Sequence, residues 1–587
     1  MLRLTVAILI IISAGTFVGA DARMYIVDQE GFSQYKSIGG VVAVAKDGDT
    51  IYIKPGVYRE HIVLDKRLTL MPLRGEEGII KIEGDGNDIG IEVLADGCKI
   101  EGITISGFAG PGIYVESKGN EIRNNVLDNN VHGIFVRESS GNVLENNRQI
   151  GGYGGIVLIS SYENTIKRNV AEGSILAGIL LNSSSKNAIS GSTARECDRG
   201  IYLITGSRDN VFEGNSMIDC GYGVLLETGG EANVFRSSSI ENATTAAALN
   251  FASKNLFEKN SVTNSTNGFA LFSSSGNRIV ENDLSGMETG IMVSGGSVDN
   301  LFDKNMIEES SNGIVITESS GNGLTGNVMA GVRWALYVDG STEESFDNDI
   351  PESNQIDGRP ILYLYRRSGE VVSGREFGHI TLAFCEDSIV KENSVTNDAL
   401  FVRGSRGCRI EENVVSGGFG MRFEGSLNNE ILGNRVYDNR YSGILLLESD
   451  GNLIEANNLS RNERDGISIL GSDSNRVRGN YAEENGAAGI RLRSSNDTEI
   501  TANTMTRNGV GIALMESSGC IVYRNNLIEN RVQAEDDGEN LWDWGVLKGG
   551  NYWSDHSCTG KPCQSSPRRI GEATADYYPF GVRDGWT

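Results

Sequence analysis

GIFVRESSGNVLENN, residues 133–147, is the clearest copy of a pattern that repeats through most of the chain. The pattern is Gly-Ile/Val-x-apolar, a short Ser/Gly turn, and then Asn-x-apolar-x-x-Asn-x-apolar. Its first Asn recurs every 22 or 23 residues from Asn120 to Asn322, and the register resumes at Ser388 in steps of 20 to 23 residues. With an early copy at Cys98, the chain holds eighteen copies. A fixed period in the low twenties is typical of a solenoid.

The period inside each copy indicates which solenoid forms. Apolar side chains alternate with other residues over residues 133–136 and 142–144, which predicts short strands. The segments between these strands are too short for a helix. Three strands and three turns use about 22 residues per coil, so we predict an all-β, single-stranded parallel β-helix of about eighteen coils. Coils spaced by roughly 4.8 Å would make it on the order of 85 Å long.

The position five residues after each first Asn is itself Asn in fifteen of the eighteen copies. Asn tolerates the left-handed backbone of a tight turn, and its amide both donates and accepts hydrogen bonds. Identical amides stacked from coil to coil should therefore form a structural ladder. The predicted ladder comprises these residues except Asn393, namely Asn125, Asn147, Asn169, Asn215, Asn260, Asn282, Asn305, Asn327, Asn413, Asn434, Asn457, Asn480, Asn503 and Asn525.

Charge and composition restrict the partners of the protein. The 587 residues carry a formal charge of −26 and include 75 Gly but only 8 Pro, as expected for many tight turns and few rigid linkers. This charge argues against nucleic acid and anionic membrane surfaces as partners. It also disfavours polyanionic sugars, unless divalent cations bridge them.

The chain divides into segments by its patterns. Residues 1–22 combine a basic start, a short apolar stretch and a small-residue cleavage site, which predicts a signal peptide and an exported protein, periplasmic or at the cell surface. The alternative is that this segment stays uncleaved as a membrane anchor. If it is removed, we expect that the mature protein is not an integral membrane protein. The further predicted segments are an N-terminal cap with the first coils (23–97), coil block 1 (98–339), an inserted, protruding hairpin (340–387), coil block 2 (388–530) and an aromatic C-terminal cap (531–587).

Three stretches resemble a known family. DGDTIYIKPGVYREHIVLDKRLTL (47–70), IDGRPILYL (356–364) and GGNYWSDH (549–556) are similar to segments of NosD-type proteins, pectin-lyase-like β-helices with carbohydrate-binding and sugar hydrolase (CASH) repeats. The resemblance implies a right-handed helix. It also implies that the protein is a copper-binding accessory in the maturation of nitrous oxide reductase. Copper and calcium are therefore possible cofactors only by analogy with the family. The tail departs from the family at SCTGKPCQSSPRR (557–569).

The cysteines and histidines give no metal site. Cys558 and Cys563 are the best disulfide pair, because they lie close together in the irregular tail of an exported chain. Cys197 and Cys220 stack in adjacent coils, as a second disulfide or as free thiols. Copper binding needs clustered His, Cys or Met, whereas the four His are solitary.

Catalytic residues are equally hard to find. His132, Asp198 and Asp465 are weak candidates, since they precede outward strands, but no second carboxylate or Arg is placed to support His132, and Asp465 is flanked by Ser442 and Ala488. A glycosidase requires two carboxylates at a defined separation. We therefore expect these three residues to be solvated turn residues.

One outward position is unexpectedly apolar. The residue between the two inward ones of the Gly-led strand should be polar, yet it is apolar in eleven successive coils. We hypothesise a docking face for a glycan or a partner protein, with Tyr114, Phe135, Tyr202 and Tyr337 as stacking rings. Coverage by the insertion or by a long turn is the alternative. The row comprises Tyr114, Phe135, Val157, Leu180, Tyr202, Leu225, Ala248, Ala270, Met292, Val315 and Tyr337.

These observations favour a non-catalytic, exported β-helix that binds a carbohydrate or a cell-envelope protein. The alternatives are a polysaccharide lyase or hydrolase, a copper-maturation accessory, or a structural cell-surface protein. The aromatic tail has two interpretations, a cap over the last coil or a sugar platform with solvent-facing Trp rings.

Overall fold

The computed structural model describes residues 22–31, 33–84, 88–571 and 574–587. All but the last residue of the predicted signal peptide lies outside these ranges. The chain forms two compact units, unit 1 up to Asn169 and unit 2 from Val170 to Thr587. No helix within the described ranges has the length and apolar character needed to cross a membrane.

Unit 1 is a parallel β-solenoid with three short strands in each turn. The strands of successive turns stack in register into a first sheet (led by the Asn signature), a second sheet and a third sheet (led by Gly). The first sheet contains Met24–Val27, Thr50–Ile53, Thr69–Pro72, Lys99–Glu101, Glu121–Arg123, Val143–Glu145 and Thr165–Lys167. The second contains Gly56–Tyr58, Ile80–Glu83, Thr104–Ser106, Val126–Asp128 and Arg148–Ile150. The third contains Ile62–Leu64, Ile91–Val93, Pro111–Val115, His132–Arg137 and Gly154–Ile159.

A short helix, Ile38–Val44, covers the start of unit 1 with buried Ile38, Val41 and Val42. The Glu60 carboxylate accepts from the backbone N–H groups of Ile38 and Gly39 at 2.9 and 2.8 Å. The N-terminal end of the solenoid is thereby capped, which removes an open edge that could pair with another chain.

The first block of unit 2 continues the same three-strand turn. Its first sheet contains Ala188–Ser190, Val211–Glu213, Val234–Arg236, Leu256–Glu258, Arg278–Val280, Leu301–Asp303 and Gly323–Thr325. Its second sheet contains Val170–Glu172, Thr193–Arg195, Ser216–Ile218, Ser239–Glu241, Ser261–Thr263, Asp283–Ser285, Met306–Glu308, Val328–Ala330 and Gln355–Ile356. Its third sheet contains Ala177–Asn182, Arg199–Ile204, Tyr222–Glu227, Thr245–Asn250, Asn267–Phe272, Thr289–Ser294, Asn312–Thr317 and Trp334–Asp339.

The second block of unit 2 has three sheets of its own. The first sheet contains Val371–Ser373, Ile389–Lys391, Arg409–Glu411, Glu430–Leu432, Leu453–Glu455, Arg476–Arg478, Glu499–Thr501 and Ile521–Tyr523. The second contains Glu376–Phe377, Ser394–Thr396, Val414–Ser416, Arg435–Tyr437, Asn458–Ser460, Tyr481–Glu483, Thr504–Thr506, Asn526–Ile528 and Tyr552–Trp553. The third contains Arg359–Tyr365, His379–Ala383, Ala399–Arg403, Gly420–Glu424, Ile444–Leu447, Ile467–Leu470, Ala488–Arg493, Val510–Met515 and Val532–Asp536.

Inward side chains fill a dry core along each block. In the first block, the rings of Phe212, Phe235 and Phe257 stack at centroid distances of 4.4 and 4.5 Å. In the second block, a single cluster of buried residues runs from Leu362 to Trp553. These columns arise because parallel strands in register place the same position of each turn about 4.8 Å above the last.

Buried asparagines line the corners of the solenoid. All fourteen predicted ladder residues are at most 3 % exposed. Asn147 is representative: its Nδ2 donates to Asn169 Oδ1 at 3.0 Å and to the Ile122 carbonyl at 2.8 Å. The first Asn of the signature forms a parallel ladder, as between Asn120 and Asn142. A third ladder, which we did not predict, occupies the corner before the third sheet of the second block, at Asn439, Asn462, Asn485, Asn508 and Asn530.

The fold class is confirmed: the protein is a right-handed parallel β-solenoid. It has about 24 turns, however, and not the eighteen predicted. We counted only turns that carry the Asn signature, whereas an inward apolar pair such as Ile51 and Ile53 closes a turn without it. The extra turns therefore lie in the first hundred residues, in residues 340–387 and in the tail.

The interruption at residues 340–387 differs from the protruding hairpin that we expected. A 3-10 helix, Glu343–Phe346, is followed by Asn348 and Asn354, which continue both ladders of the first block. Gln355–Ile356 and Arg359–Tyr365 then pair antiparallel across Asp357 and Gly358. Because Arg359–Tyr365 starts the third sheet of the second block, the segment belongs to the solenoid.

A buried hydrogen-bond chain joins the two blocks of unit 2. Trp334–Asp339 is the last strand of its sheet, and the Leu336 N–H donates to Asp398 Oδ2 at 3.2 Å. The same carboxylate oxygen accepts from His379 Nδ1 at 3.1 Å, and His379 Nε2 meets the Thr381 hydroxyl at 2.5 Å. Because Trp334–Asp339 is the last strand of its sheet, the Leu336 N–H has no carbonyl acceptor on a following strand. The fully buried Asp398 carboxylate is its acceptor instead.

The C-terminal tail caps the second block. Trp542 and Trp553 are both 1 % exposed and belong to its core, which favours the cap interpretation for these two rings. The tail also contains a helical turn, Gly545–Lys548, and an antiparallel pair, Arg568–Arg569 with Ala575–Asp576. The predicted disulfide between Cys558 and Cys563 is confirmed.

Asp398 provides a test of the junction between the blocks. Asp398→Ala leaves the Leu336 N–H and His379 Nδ1 without an acceptor, so we expect it to lower the free energy of unfolding by about 3 kcal/mol or more. Urea unfolding of the full chain, followed by circular dichroism, measures the change. Glu213→Ala, which removes an exposed ion pair with Arg236, is the control and should cost less than about 1 kcal/mol. Equal losses in the two variants would contradict the assigned role.

Asp576 should make the stability of the cap depend on pH. Burial raises the pKa of this carboxyl to about 7, although Trp553 Nε1 and the Asn551 N–H donate to it at 2.9 and 2.7 Å. The folded chain therefore retains a proton that the unfolded chain releases near pH 4. This contribution to stability is complete below about pH 4 and is lost as the pH rises to about 7.

Tryptophan fluorescence during urea unfolding, at about pH 5 and about pH 8, detects the loss. We expect the unfolding midpoint of the wild type to fall more steeply across this range than that of Asp576→Asn, which cannot titrate. Parallel pH profiles of the two proteins would show that Asp576 does not hold a proton in the folded state.

Candidate functional site

The predicted apolar row lies on the outer surface of the third sheet. In unit 1, Tyr114 pairs in register with Phe135, and Phe135 pairs with Val157. In unit 2, the register runs unbroken from Leu180 to Tyr337. The residues of the row thus stand one above another within each unit.

The row is less exposed than a continuous docking stripe would be. Val157, Leu180, Leu225 and Ala248 are at most 6 % exposed. The others are half-buried. Side chains stacked about 4.8 Å apart cover one another, and alternation along the strand alone does not account for this effect. The expectation of a uniformly exposed face is therefore wrong, and the accessible rings are confined to local groups.

One such group lies in unit 1, and we call Tyr114, His132, Phe135 and Tyr153 the aromatic patch. Tyr114 and Phe135 stack with centroids 5.8 Å apart and planes inclined by 20°. His132 lies 5.3 Å from Phe135 and 6.0 Å from Tyr153, which is 46 % exposed. Four neighbouring rings thus form one surface. Tyr153 is the member that we missed, because it lies in a turn outside the repeat pattern.

His132 contributes to this patch as a neutral ring. Burial lowers the pKa of His132, so the imidazole is uncharged at neutral pH. Its Nδ1 is buried and has no hydrogen-bond partner within the described part of the chain. The side chain has the flat apolar faces of a stacking residue, and none of the described acidic groups is hydrogen bonded to it to orient it for proton transfer.

Each tyrosine of the row has a carboxylate at its hydroxyl group. The Tyr114 hydroxyl donates to Glu116 at 2.9 Å, and that of Tyr337 donates to Asp339 at 2.9 Å. The Tyr202 hydroxyl donates to Glu227. Burial, the largest cause, raises the pKa of Tyr114 and Tyr337, so both phenols stay protonated. The rings are therefore held in fixed orientations with polar groups at their edges.

The rings of unit 2 are less open than those of the aromatic patch. The Arg199 guanidinium lies 4.8 Å from the centroid of Tyr202 and occupies one face of this ring. Tyr337 contacts Trp334, whose ring lies 4.2 Å from that of Phe419 in the second block. Part of the row is thus covered by other residues of unit 2, none of which belongs to the insertion that the alternative interpretation named.

The remaining catalytic candidates are engaged in separate local pairs. Asp198 contacts its neighbour Arg199. Asp465 Oδ1 accepts from Arg491 Nε at 3.0 Å and from the Ala488 N–H at 2.9 Å. Asp198 lies in the first block and Asp465 in the second, so the structure does not bring these two carboxylates together.

The thiols do not form the second disulfide that we considered. Cys197 and Cys220 are buried free cysteines in adjacent turns. Both lie at the corner between the second and third sheets, outside the strands. The proximity of the two buried thiols lowers the pKa of Cys197 and raises that of Cys220.

The described residues do not fit a copper or calcium site. Among them, no group of three or more His, Cys, Asp or Glu side chains could hold a metal ion. Burial raises the pKa of Cys385, Cys408 and Cys520, which disfavours the thiolate form that binds metals.

The geometry above defines a right-handed parallel β-solenoid. The family model described as "Periplasmic copper-binding protein (NosD)" matches residues 47–237, 213–361 and 352–558. The protein therefore belongs to the NosD family. A search of the curated proteins returned no match.

Several solved structures are similar to the chain at low identity. The Dettilon tailspike protein (gp208) is 14% identical with a TM-score of 0.38, over 54% of this chain and 65% of that chain. The PL6 family polysaccharide lyase Pedsa3628 from Pseudopedobacter saltans is 12% identical with a TM-score of 0.35, over 58% and 94%. The PL6 family alginate lyase AlyGC is 11% identical with a TM-score of 0.33, over 90% and 99%.

Proposed function

We propose that this NosD-family protein is exported and binds a polysaccharide of the cell envelope without cleaving it. The aromatic patch is the principal contact, and the more exposed residues of the outward row extend it. The observation that carries the proposal is the group of four adjacent rings, Tyr114, His132, Phe135 and Tyr153, on one outer face.

A glycan suits this surface for chemical reasons. One face of a pyranose ring presents C–H groups that pack on an aromatic ring, whereas its rim presents hydroxyl groups. Glu116 lies beside Tyr114 as an acceptor, and Arg137, which is exposed at the end of the same strand as Phe135, is a donor. Flat apolar centres with polar groups at the edge are typical of sites that fix the orientation of a ligand.

Binding without cleavage is favoured by the state of the nearby ionisable groups. A glycosidase uses two carboxyl groups separated by roughly 5 to 9.5 Å across the scissile bond. Glu116 is hydrogen bonded to the Tyr114 hydroxyl. His132 is neutral and could accept a proton, but among the described residues it makes no hydrogen bond or ion pair with a carboxylate that would orient it as a catalytic base. A lyase or hydrolase remains the alternative that the experiment below addresses.

A glycan array with the full chain identifies the ligand, and titration calorimetry with the best glycan then compares variants. We expect Phe135→Ser combined with Tyr153→Ser to weaken binding by about tenfold or more, since each stacked ring contributes about 0.5–1.5 kcal/mol beyond its buried area. Tyr162→Ser, which removes another exposed ring of unit 1 that lies outside the patch, should leave the affinity unchanged.

Incubation of the same glycan with the protein, followed by a reducing-end assay, tests for cleavage. Unchanged binding by the double variant would refute the role of the aromatic patch. Release of new reducing ends would replace the binding proposal with an enzymatic one.

A further inference from the structure

A cleft lies at the C-terminal end of the second block, on the outer surface of its first sheet. Its volume is about 380 Å³, within the range of roughly 300–1,000 Å³ that is usual for small-molecule sites. The strands Arg476–Arg478, Glu499–Thr501 and Ile521–Tyr523 form its floor, and the C-terminal tail forms one wall. The lining residues are Leu453, Arg476, Arg478, Glu499, Thr501, Ala502, Tyr523, Arg524 and Trp586.

Positive charge collects in this cleft, although the chain as a whole carries −26. Three guanidinium groups line it against a single carboxylate, that of Glu499. Glu499 lies in register beside Arg476 on the neighbouring strand, and its Oε1 accepts from the Tyr523 hydroxyl at 2.9 Å. The cleft therefore has an excess of cationic donors.

The three arginines differ in how they are held. Arg478 forms an ion pair with Glu455, with 2.6 Å between Nη2 and Oε1. Arg524 Nε donates to the Lys548 carbonyl at 2.9 Å, which orients its guanidinium group and leaves the terminal nitrogens for another acceptor. Arg476 is exposed and makes no ion pair with any residue that the structure describes. Arg476 and Arg524 are thus the donors best placed to bind an anion.

Aromatic rings form the adjoining wall. Trp586 lines the cleft and packs edge-on against Phe580 at 5.6 Å. Two hydrogen bonds between Asn526 and Asp584, of 2.7 and 3.1 Å, fix the tail segment that carries Trp586. Next to the cleft, the ring of Trp544 lies 5.8 Å from that of Tyr523.

We propose that this cleft binds a carboxylated oligosaccharide. A planar guanidinium group recognises a carboxylate through two parallel hydrogen bonds, and Arg476 and Arg524 supply two such groups. A pyranose ring that carries the carboxylate would pack against Trp586 beside them. The net negative charge of the chain argues against polyanions as ligands of the surface in general. A ligand in the cleft would nevertheless interact mainly with the arginines that contact it, because charges beyond the Debye length of about 8 Å are largely screened by salt.

The proposed site is separate from the aromatic patch, so either can fail without the other. The cleft belongs to unit 2 and would recognise its ligand by charge, whereas the patch belongs to unit 1 and contains only neutral rings. The sequence pattern did not reveal the cleft, because Trp586 is brought to it by the irregular tail.

Titration calorimetry of the full chain with four probes tests the proposal. The probes are trimers of galacturonate and of mannuronate, the neutral galactose trimer, and inorganic phosphate. We expect at least one uronate trimer to bind, and to bind about tenfold or more tightly than the galactose trimer and phosphate, since a hydrogen bond to a charged group contributes about 1.5–3 kcal/mol. Equal binding of the galactose trimer, equal binding of phosphate, or no binding of either uronate would overturn the proposal.

Matched variants then locate the site. Arg476→Gln and Arg524→Gln should each weaken uronate binding by about tenfold, for loss of the same charged hydrogen bonds. Arg409→Gln is the control, since Arg409 lies three turns earlier in the same outward column of the same sheet and pairs with Glu411. An equal effect of all three substitutions would indicate general electrostatic attraction and would reject the cleft. Melting temperatures close to that of the wild type show that the variants are folded.

Discussion

The structure depends on hydrogen bonds between buried side-chain amides of successive turns. At Asn282, the amide oxygen accepts from the backbone N–H and the side chain of Asn260, each at 2.9 Å. Its Nδ2 donates to Asn305 Oδ1 and to the Phe257 carbonyl, each at 3.0 Å. A tight corner exposes backbone groups that a sheet would otherwise pair, and the amide satisfies them where water is excluded. Each amide therefore joins three turns, which explains why the position tolerates so few residue types.

Stacked turns convert one sequence position into a column on the surface. A repeated column is chemically uniform, so binding properties arise where the repeat is broken or where an irregular segment adds a side chain. The aromatic patch needs Tyr153 from a turn, and the cationic cleft needs Trp586 from the tail. The junction in unit 2 follows the same rule, because Asp398 supplies the acceptor that the last strand of a sheet lacks. The repeated positions thus form the scaffold, whereas the proposed binding sites contain residues that lie outside the repeat pattern.

The parts of the fold that follow from local periodicity could be predicted from the sequence. The strand triplets, the ladder at Asn125 and its equivalents, and the Cys558–Cys563 disulfide are all determined by nearby residues. The number of turns was underestimated, because apolar pairs without Asn also close a turn. The burial of Leu180 and Leu225 could not be predicted, since it depends on how neighbouring turns cover one another. The pairing of His379 with Asp398 depends on where the two blocks meet, which no spacing in the sequence records.

Substitution of one ladder amide is the most direct test of this account. Asn282→Ala removes the side-chain partners of groups on the two neighbouring turns, at about 1–3 kcal/mol for each buried group left unsatisfied, so urea unfolding should show a loss of several kcal/mol. Asn264→Gly is the control, because Asn264 is exposed and has a left-handed backbone that Gly adopts readily. If Asn282→Ala unfolds at the same urea concentration as the wild type and Asn264→Gly, the amide ladder is not what holds the turns together.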